Sequence, residues 1–146
     1  MSHFIGRLIL EPASDERTFR LHESFTYESD LLGFKINIPK GFVTDGASVP
    51  RIFWSIIPPL GIYGRAAVVH DYLYRWQRTC RHDADDTLLE AMWVCKTGWC
   101  DLLAIWIAVR LFGCFAWKKD SRNPLSPEDL APNKNIAARL HADAAR

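Results

Sequence analysis

The stretches AAVVHDYLY, residues 66–74, and RHDADD, residues 81–86, decide the fold of this chain. Apolar residues recur at helical spacing over 65–77, and acids open a second periodic segment over 83–96, where a helix dipole favours them. The connection around 79–81 is short, so the two predicted helices form an antiparallel hairpin. A histidine and several acids thus lie among residues that otherwise form a core, and this is where we look for chemistry.

The remaining elements are predicted from the same kind of periodicity. Residues 17–27 alternate between apolar and polar side chains, which is typical of a half-buried strand, and 4–10 and 34–38 are further strand candidates. A third helix, predicted over 99–117, is apolar nearly all round and is therefore placed at the centre of the core. The predicted fold class is α+β, with a small N-terminal antiparallel sheet of three or four strands packed against a three-helix C-terminal half.

The domain organisation follows from a change in composition near residue 118. Residues 1–117 are predicted to form one α+β domain, and 118–146 a polar linker with an alanine-rich amphipathic tail over 136–146. That tail can form a helix against a partner. A short helical turn is predicted over 51–57, which Pro58 ends.

Composition and charge exclude several classes of protein. Lys and Arg total 18 against 17 Asp and Glu, with a net charge of +1, so a nucleic-acid partner is not expected. The start of the chain has no signal-peptide pattern. The most apolar segment, 102–117, is interrupted by Arg110 and Gly113 and is shorter than the roughly 20 residues that span a bilayer, so we expect no transmembrane segment.

The four cysteines have none of the paired spacing that binds zinc. No C-x-x-C motif occurs, and we expect reduced thiols within the core rather than disulfides. They are Cys80, Cys95, Cys100 and Cys114.

The chemically distinctive group lies on the predicted hairpin. His70 and Tyr74 are four residues apart and share a helix face. The hairpin brings them near the start of the next helix, which carries Asp83, Asp85 and Asp86. A histidine whose ring nitrogen meets a carboxylate is the arrangement used for a general base or a metal ligand.

Each of these features also has a purely structural interpretation. A buried His-Asp pair with a tyrosine can pin a helix hairpin to a sheet with every polar group satisfied. Asp71 and Asp45, with carbonyls of the Gly46 loop, offer oxygen ligands for a divalent cation, calcium rather than zinc, but Asp45 equally suits a turn or a helix cap. Ser48 lacks the G-x-S-x-G elbow of a nucleophile.

The motifs as an ordered set resemble a known family. TDGASVP at 44–50, AAVVHDYLY at 66–74, R-x-x-A-D at 81–85 and VRLFG at 109–113 are similar to DUF1353, an uncharacterised family of phage and prophage proteins. The resemblance covers about residues 4–117. It implies a phage-related context without supplying an activity, and it favours Asp85 as the partner of His70.

A second, shorter resemblance concerns His70-Asp71-x-x-Tyr74. It is similar to the helix motif of the secreted phospholipases, where the histidine activates water and the next aspartate binds calcium. There an aspartate of a second helix orients the histidine, a role that Asp85 can fill. This chain lacks the flanking half-cystines and the glycine-dense calcium loop of that family, unless Asp45-Gly46 replaces the loop.

Two functions follow as expectations. The first is a phage or prophage structural or accessory protein, in the virion, tail-associated or in the host cytoplasm. It would contact other phage structural proteins, or a second copy of itself, through its tail and the aromatic residues of the third helix.

The alternative is a metal-assisted hydrolase of phospholipid or cell-envelope material. His70 would be its general base, Asp85 would orient the base, Asp71 and Asp45 would hold the cation, and Tyr74 would add a supporting hydrogen bond.

Overall fold

A computed structural model describes residues 1–12, 18–44 and 62–120 of the 146-residue chain. Within these ranges strands come first and helices follow, which confirms the α+β class. The strands are β1 (His3–Ile5), β2 (Leu10–Pro12), β3 (Phe19–Leu21), β4 (Phe25–Ser29), β5 (Phe34–Ile38) and β6 (Val43–Thr44). The helices are α1 (Gly64–Trp76), α2 (Arg81–Val94) and α3 (Trp99–Asp120).

The strands form two antiparallel sheets of three strands each, in the orders β1-β4-β5 and β2-β3-β6. Along β4 every second side chain, Phe25, Tyr27 and Ser29, is buried, as the alternating pattern predicts. Tyr27 lies opposite Phe4 on one neighbouring strand and Ile36 on the other. This sheet packs against the helices and supplies the strand side of the core.

The prediction of one strand over 17–27 is wrong, because the chain changes sheets within that segment. β3 ends at Leu21, β4 begins at Phe25, and residues 22–24 belong to neither strand. At the break the N–H of Leu21 donates to the carbonyl of Phe42 at 2.9 Å, and that of His22 to Ile9 at 2.8 Å. The alternation of side chains continues through the break, so periodicity alone gives no sign of it.

The helix hairpin has slightly different limits from those predicted. α1 ends where Gln77 adopts a left-handed conformation with φ 49°, and its N–H donates to the carbonyl of Leu73. α2 starts at Arg81 rather than residue 83, because the sulfur of Cys80 caps it by accepting from the N–H of Asp83 at 3.4 Å. α1 packs against α2, and α2 against α3.

The prediction that α3 is central to the core is wrong. Only Leu102, Ile105, Ala108 and Gly113 are buried along it, and they face the hairpin. The helix runs to Asp120, and by length and composition it is apolar enough to cross a membrane. Its other side is exposed and carries Trp99, Leu103, Ile107, Leu111, Phe112 and Phe115.

The prediction of reduced cysteines within the core is confirmed in part. All four cysteines are free, but Cys80 and Cys100 are exposed. Trp93 and Trp99 are exposed as well and stack edge to face on each other, with ring centroids 4.9 Å apart. The helical turn predicted over 51–57 and the tail over 136–146 lie outside the described residues.

A single carboxylate ties α2 to the N-terminal strands. Glu90 accepts hydrogen bonds from the hydroxyls of Ser2 (2.7 Å), Tyr27 (2.9 Å) and Ser29 (2.7 Å) and from the N–H of Leu31 (3.0 Å). Burial by itself would raise the pKa of Glu90, but these donors outweigh it and hold the pKa below its ordinary value of 4.5.

Replacing Glu90 by Gln tests this connection. The amide presents one acceptor oxygen in place of two, so we expect the free energy of unfolding at neutral pH to fall by about 1–3 kcal/mol. Because the pKa of Glu90 is lower in the folded state, its stabilising contribution is present above pH 4.5 and is lost as the pH falls further. Urea unfolding of both proteins across this range should show the difference shrinking in acid.

Glu28→Gln is the control for this substitution. Glu28 pairs with Lys35 at 3.1 Å on the surface of the same sheet, and such exposed pairs contribute about 0–1 kcal/mol. Equal losses in the two variants, or a Glu90→Gln difference that does not depend on pH, would contradict the role given to Glu90.

Candidate active site

His70 and Tyr74 lie side by side on α1, and both reach the same carboxylate on α2. Their ring centroids are 4.1 Å apart. Oδ1 of Asp85 is 3.1 Å from Nε2 of His70 and accepts a hydrogen bond from the hydroxyl of Tyr74 at 2.5 Å. Asp85 is completely buried, so this contact takes place away from water.

The second oxygen of Asp85 faces two arginines. Oδ2 is 3.3 Å from a guanidinium nitrogen of Arg81, one helical turn earlier, and 3.6 Å from one of Arg110 on α3. Arg81 also donates to the backbone carbonyl of Arg110 at 3.2 Å. These groups supply the positive charge and the donors that a buried carboxylate requires, and they join all three helices at one residue.

The hydrogen bond to Asp85 fixes the tautomer of His70. A carboxylate only accepts, so we assign the proton of the neutral ring to Nε2, which leaves Nδ1 with an acceptor lone pair. Burial raises the pKa of Tyr74, and its hydrogen bond to Asp85 raises it further. The tyrosine hydroxyl therefore stays protonated and remains a donor at neutral pH.

Close packing of α3 holds this group together. Gly113 lies against the hydroxyl of Tyr74, and a Cβ at this position would also come within 3.5 Å of the Arg81 guanidinium. The ring of Trp117, one turn later, meets that of Tyr74 edge to face at 5.0 Å. A larger residue at position 113 would push Tyr74 away from Asp85.

A cavity of about 300 Å³ opens beside His70, between the three helices of the described chain. The histidine side chain forms part of its wall and is 13% exposed. Asp71 also lines it, whereas most of the lining is apolar. Prominent among the apolar residues are Leu88, Met92, Ile105, Val109 and Phe112.

The structure brings together three of the five residues predicted for the site, His70, Tyr74 and Asp85. Asp71 lies beside them on the cavity wall. Asp45 lies outside the described residues, as does Ser48, so the predicted role of Asp45 stays a prediction.

The structure shows which of Asp83, Asp85 and Asp86 contacts His70. Asp85 meets His70, whereas Asp86 accepts from Arg110 at 3.2 Å and from the indole of Trp106 at 3.3 Å. Sequence reasoning missed Arg81 and Arg110. The signals were present: Arg81 stands four residues before Asp85, and Arg110 is the one cation in the apolar segment 99–117.

The predicted cation site has one of its two carboxylates in the described structure. Calcium takes six to eight oxygen ligands, and Asp71 is the acid on this stretch of cavity wall. In residues 1–12, 18–44 and 62–120, no three or more His, Cys, Asp or Glu side chains are grouped to hold a metal. The described residues thus supply one carboxylate at the cavity wall, and binding of calcium or zinc stays a prediction.

Comparison with known proteins identifies the family. The family model described as "Protein of unknown function (DUF1353)" matches residues 19–109, which is more than half of the chain. The chain belongs to the DUF1353 family. The matched range contains all of His70, Tyr74, Asp85 and Arg81, and it ends just before Arg110.

One curated relative of this DUF1353 protein adds no function. It is a Sinorhizobium fredii protein described as "Uncharacterized protein y4jT", 42% identical over 67 residues. The alignment covers 44% of this chain and 20% of the relative, so the match spans about a fifth of that protein's length. No solved structure matches. The phage association expected from the resemblance stays a prediction.

Asp85→Asn tests whether the buried charge holds the site together. Removing one partner of a buried ion pair leaves the others uncompensated, so we expect the free energy of unfolding to fall by about 3 kcal/mol. Asp86→Asn is the control, because that partly exposed carboxylate also pairs with Arg110 but should cost about 1 kcal/mol or less. Equal losses in urea unfolding would contradict the central position of Asp85.

Proposed function

We propose that this DUF1353 protein is a hydrolase of lipid esters in which His70 is the general base. One observation carries the proposal: a buried carboxylate holds His70 through Nε2, and the same imidazole lies in the wall of an apolar cavity. A histidine oriented in this way can accept a proton on its other nitrogen, and imidazole exchanges protons near neutral pH.

The chemistry follows from the positions of the two ring nitrogens. Nδ1 of His70 takes a proton from water, and the hydroxide attacks the ester carbonyl. The imidazolium that forms is stabilised by Oδ1 of Asp85. When the C–O bond of the tetrahedral intermediate breaks, the proton on Nδ1 passes to the departing alkoxide. Tyr74 donates to the same Oδ1, so it keeps Asp85 in place and does not itself touch the substrate.

The lining of the cavity supports a substrate with a hydrocarbon chain. His70 and Asp71 bring polar atoms to it, whereas Leu88, Met92 and Ile105 offer only apolar surface. Apolar lining with a few placed polar groups is typical of binding sites for small molecules. A lipid ester, with its carbonyl at His70 and its chain against the aliphatic residues, is the substrate class that fits.

The position of Asp71 supports its predicted part in this reaction. It follows His70 directly in the chain and lies on the same cavity wall. It would hold a divalent cation, which polarises the carbonyl and stabilises the developing oxyanion when it is bound. Calcium is the expected ion, as the resemblance to secreted phospholipases implies.

The competing interpretation is that the His-Asp pair only pins the hairpin. A pin has no need of access to the surface, yet the side chain of His70 is partly exposed and borders the cavity. Asp85, Tyr74 and Arg81 would suffice to join the helices without the imidazole. Accessibility of His70 therefore favours a hydrolase.

The test is release of fatty acid from phospholipid in mixed micelles with calcium present. We expect His70→Gln to lower kcat/KM by a factor of about 10²–10⁴, the usual contribution of a general base. His82→Gln, on the exposed face of α2, is the matched control and should keep full activity. Asp71→Asn should abolish both hydrolysis and saturable calcium binding measured by calorimetry.

Circular dichroism and thermal unfolding of each variant distinguish a loss of activity from a loss of the fold. No hydrolysis of any lipid ester by the intact protein, together with a large loss of stability in His70→Gln, would overturn the proposal and leave the histidine as a structural pin.

A second function, a virion or tail-associated protein, is supported by a different observation. The exposed aromatic residues Trp99, Phe112 and Phe115 of α3 match the contact surface expected for other phage structural proteins. Co-purification of the chain with assembled phage particles would support this role, and its absence from them would count against it.

A further inference from the structure

α3 carries a continuous exposed row of large apolar side chains. Trp99, Leu103, Ile107, Leu111 and Phe115 follow each other at four-residue intervals, and their exposed fractions lie between 46% and 73%. At 1.5 Å per residue the row is about 24 Å long. We call these five residues the α3 stripe. An exposed patch of this kind marks an interaction surface.

The stripe leads into the cavity beside His70. Phe115 belongs to the stripe and also lines the cavity, as does its exposed neighbour Phe112. Apolar surface therefore runs from outside the molecule to the wall that carries His70 and Asp71. A hydrocarbon chain could follow this route without leaving apolar surroundings.

The charges at this end of the helix fit an anionic surface. Lys118 and Lys119 are exposed and stand three and four residues after Phe115, so they lie on its side of the helix. The exposed acid of the first turn, Asp101, is at the opposite end, and Asp120, which is partly exposed, follows the two lysines and leaves these three residues with a net charge of +1. Lysine near an apolar surface attracts anionic headgroups by about 1 kcal/mol each, or about fivefold in binding.

The other side of α3 indicates that the helix lies along a bilayer instead of crossing it. Leu102, Ile105, Ala108 and Gly113 are packed against the rest of the fold along this side of the helix. Arg110 points into the protein, where it pairs with Asp85 and Asp86. Lipid could therefore cover the stripe but not the whole circumference.

We propose that the α3 stripe rests on a surface of anionic phospholipid and that the adjoining cavity receives one acyl chain from it. The proposal deepens the proposed function and rests on it for the fate of that chain. Trp99, with its neighbour Trp93, anchors the far end of the stripe, since tryptophan favours the level of the headgroups.

Co-sedimentation of the full chain with vesicles tests this without relying on turnover. The probes are vesicles of phosphatidylcholine alone and with 30% phosphatidylglycerol. We expect saturable binding that is tighter on the anionic vesicles and falls about fivefold for each of Lys118→Gln and Lys119→Gln. Ile107→Gln with Leu111→Gln should weaken binding to both kinds of vesicle at least tenfold.

The matched control is Ile5→Gln with Leu31→Gln, which changes two exposed apolar residues of the N-terminal strand half. It should bind like the original protein. All these positions are exposed, so thermal unfolding should confirm that each variant keeps its fold.

Four outcomes would overturn the proposal. Three come from co-sedimentation: no binding to either kind of vesicle, an equal loss of binding in the stripe variant and the control, or protein that stays in the bilayer after an alkaline carbonate wash, as a membrane-spanning protein does. The fourth is a stable dimer that dissociates in the stripe variant, because a second copy would then cover the stripe. Vesicle binding with no hydrolysis would instead leave this inference standing and reject the hydrolase.

Discussion

The buried charge of Asp85 is the constraint on which the three-helix half depends. Its two oxygens meet His70 and Tyr74 from α1, Arg81 from α2 itself and Arg110 from α3. An uncompensated carboxylate in this position would cost several kcal/mol, so the three helices are held at the spacing that satisfies it. The same requirement orients His70 through Nε2, and in the proposed hydrolase the other nitrogen would take the proton.

In the proposed hydrolase, function and stability would depend on the same residues, which explains why the sequence supported two interpretations. A polar group that pins a hairpin and a dyad that activates water look alike in residue types. They differ in access, and the cavity beside His70 supplies that difference. The α3 stripe leads to the same cavity, which is consistent with the proposed lipid substrate.

The helices were predictable because periodicity and the charges at helix ends are local properties. The pairing of His70 with Asp85 could not be predicted from spacing, because Asp83 and Asp86 were equally possible partners. Only the family resemblance favoured Asp85. The break between β3 and β4 keeps the alternation intact. The exposure of α3 was not predicted, because the sequence of an apolar helix does not show which of its faces other elements will cover. The role of Arg110 was not predicted, because its partner Asp85 lies on another helix.

The most direct test of the account is the tautomer of His70. Two-bond ¹H–¹⁵N spectra of the protein labelled on histidine, at a pH where the rings are neutral, resolve the five imidazoles, and His70→Gln assigns the signal. We expect a neutral ring with its proton on Nε2, held by Asp85, and an unprotonated Nδ1. A proton on Nδ1, or rapid exchange between both forms as in a solvated histidine, would contradict it.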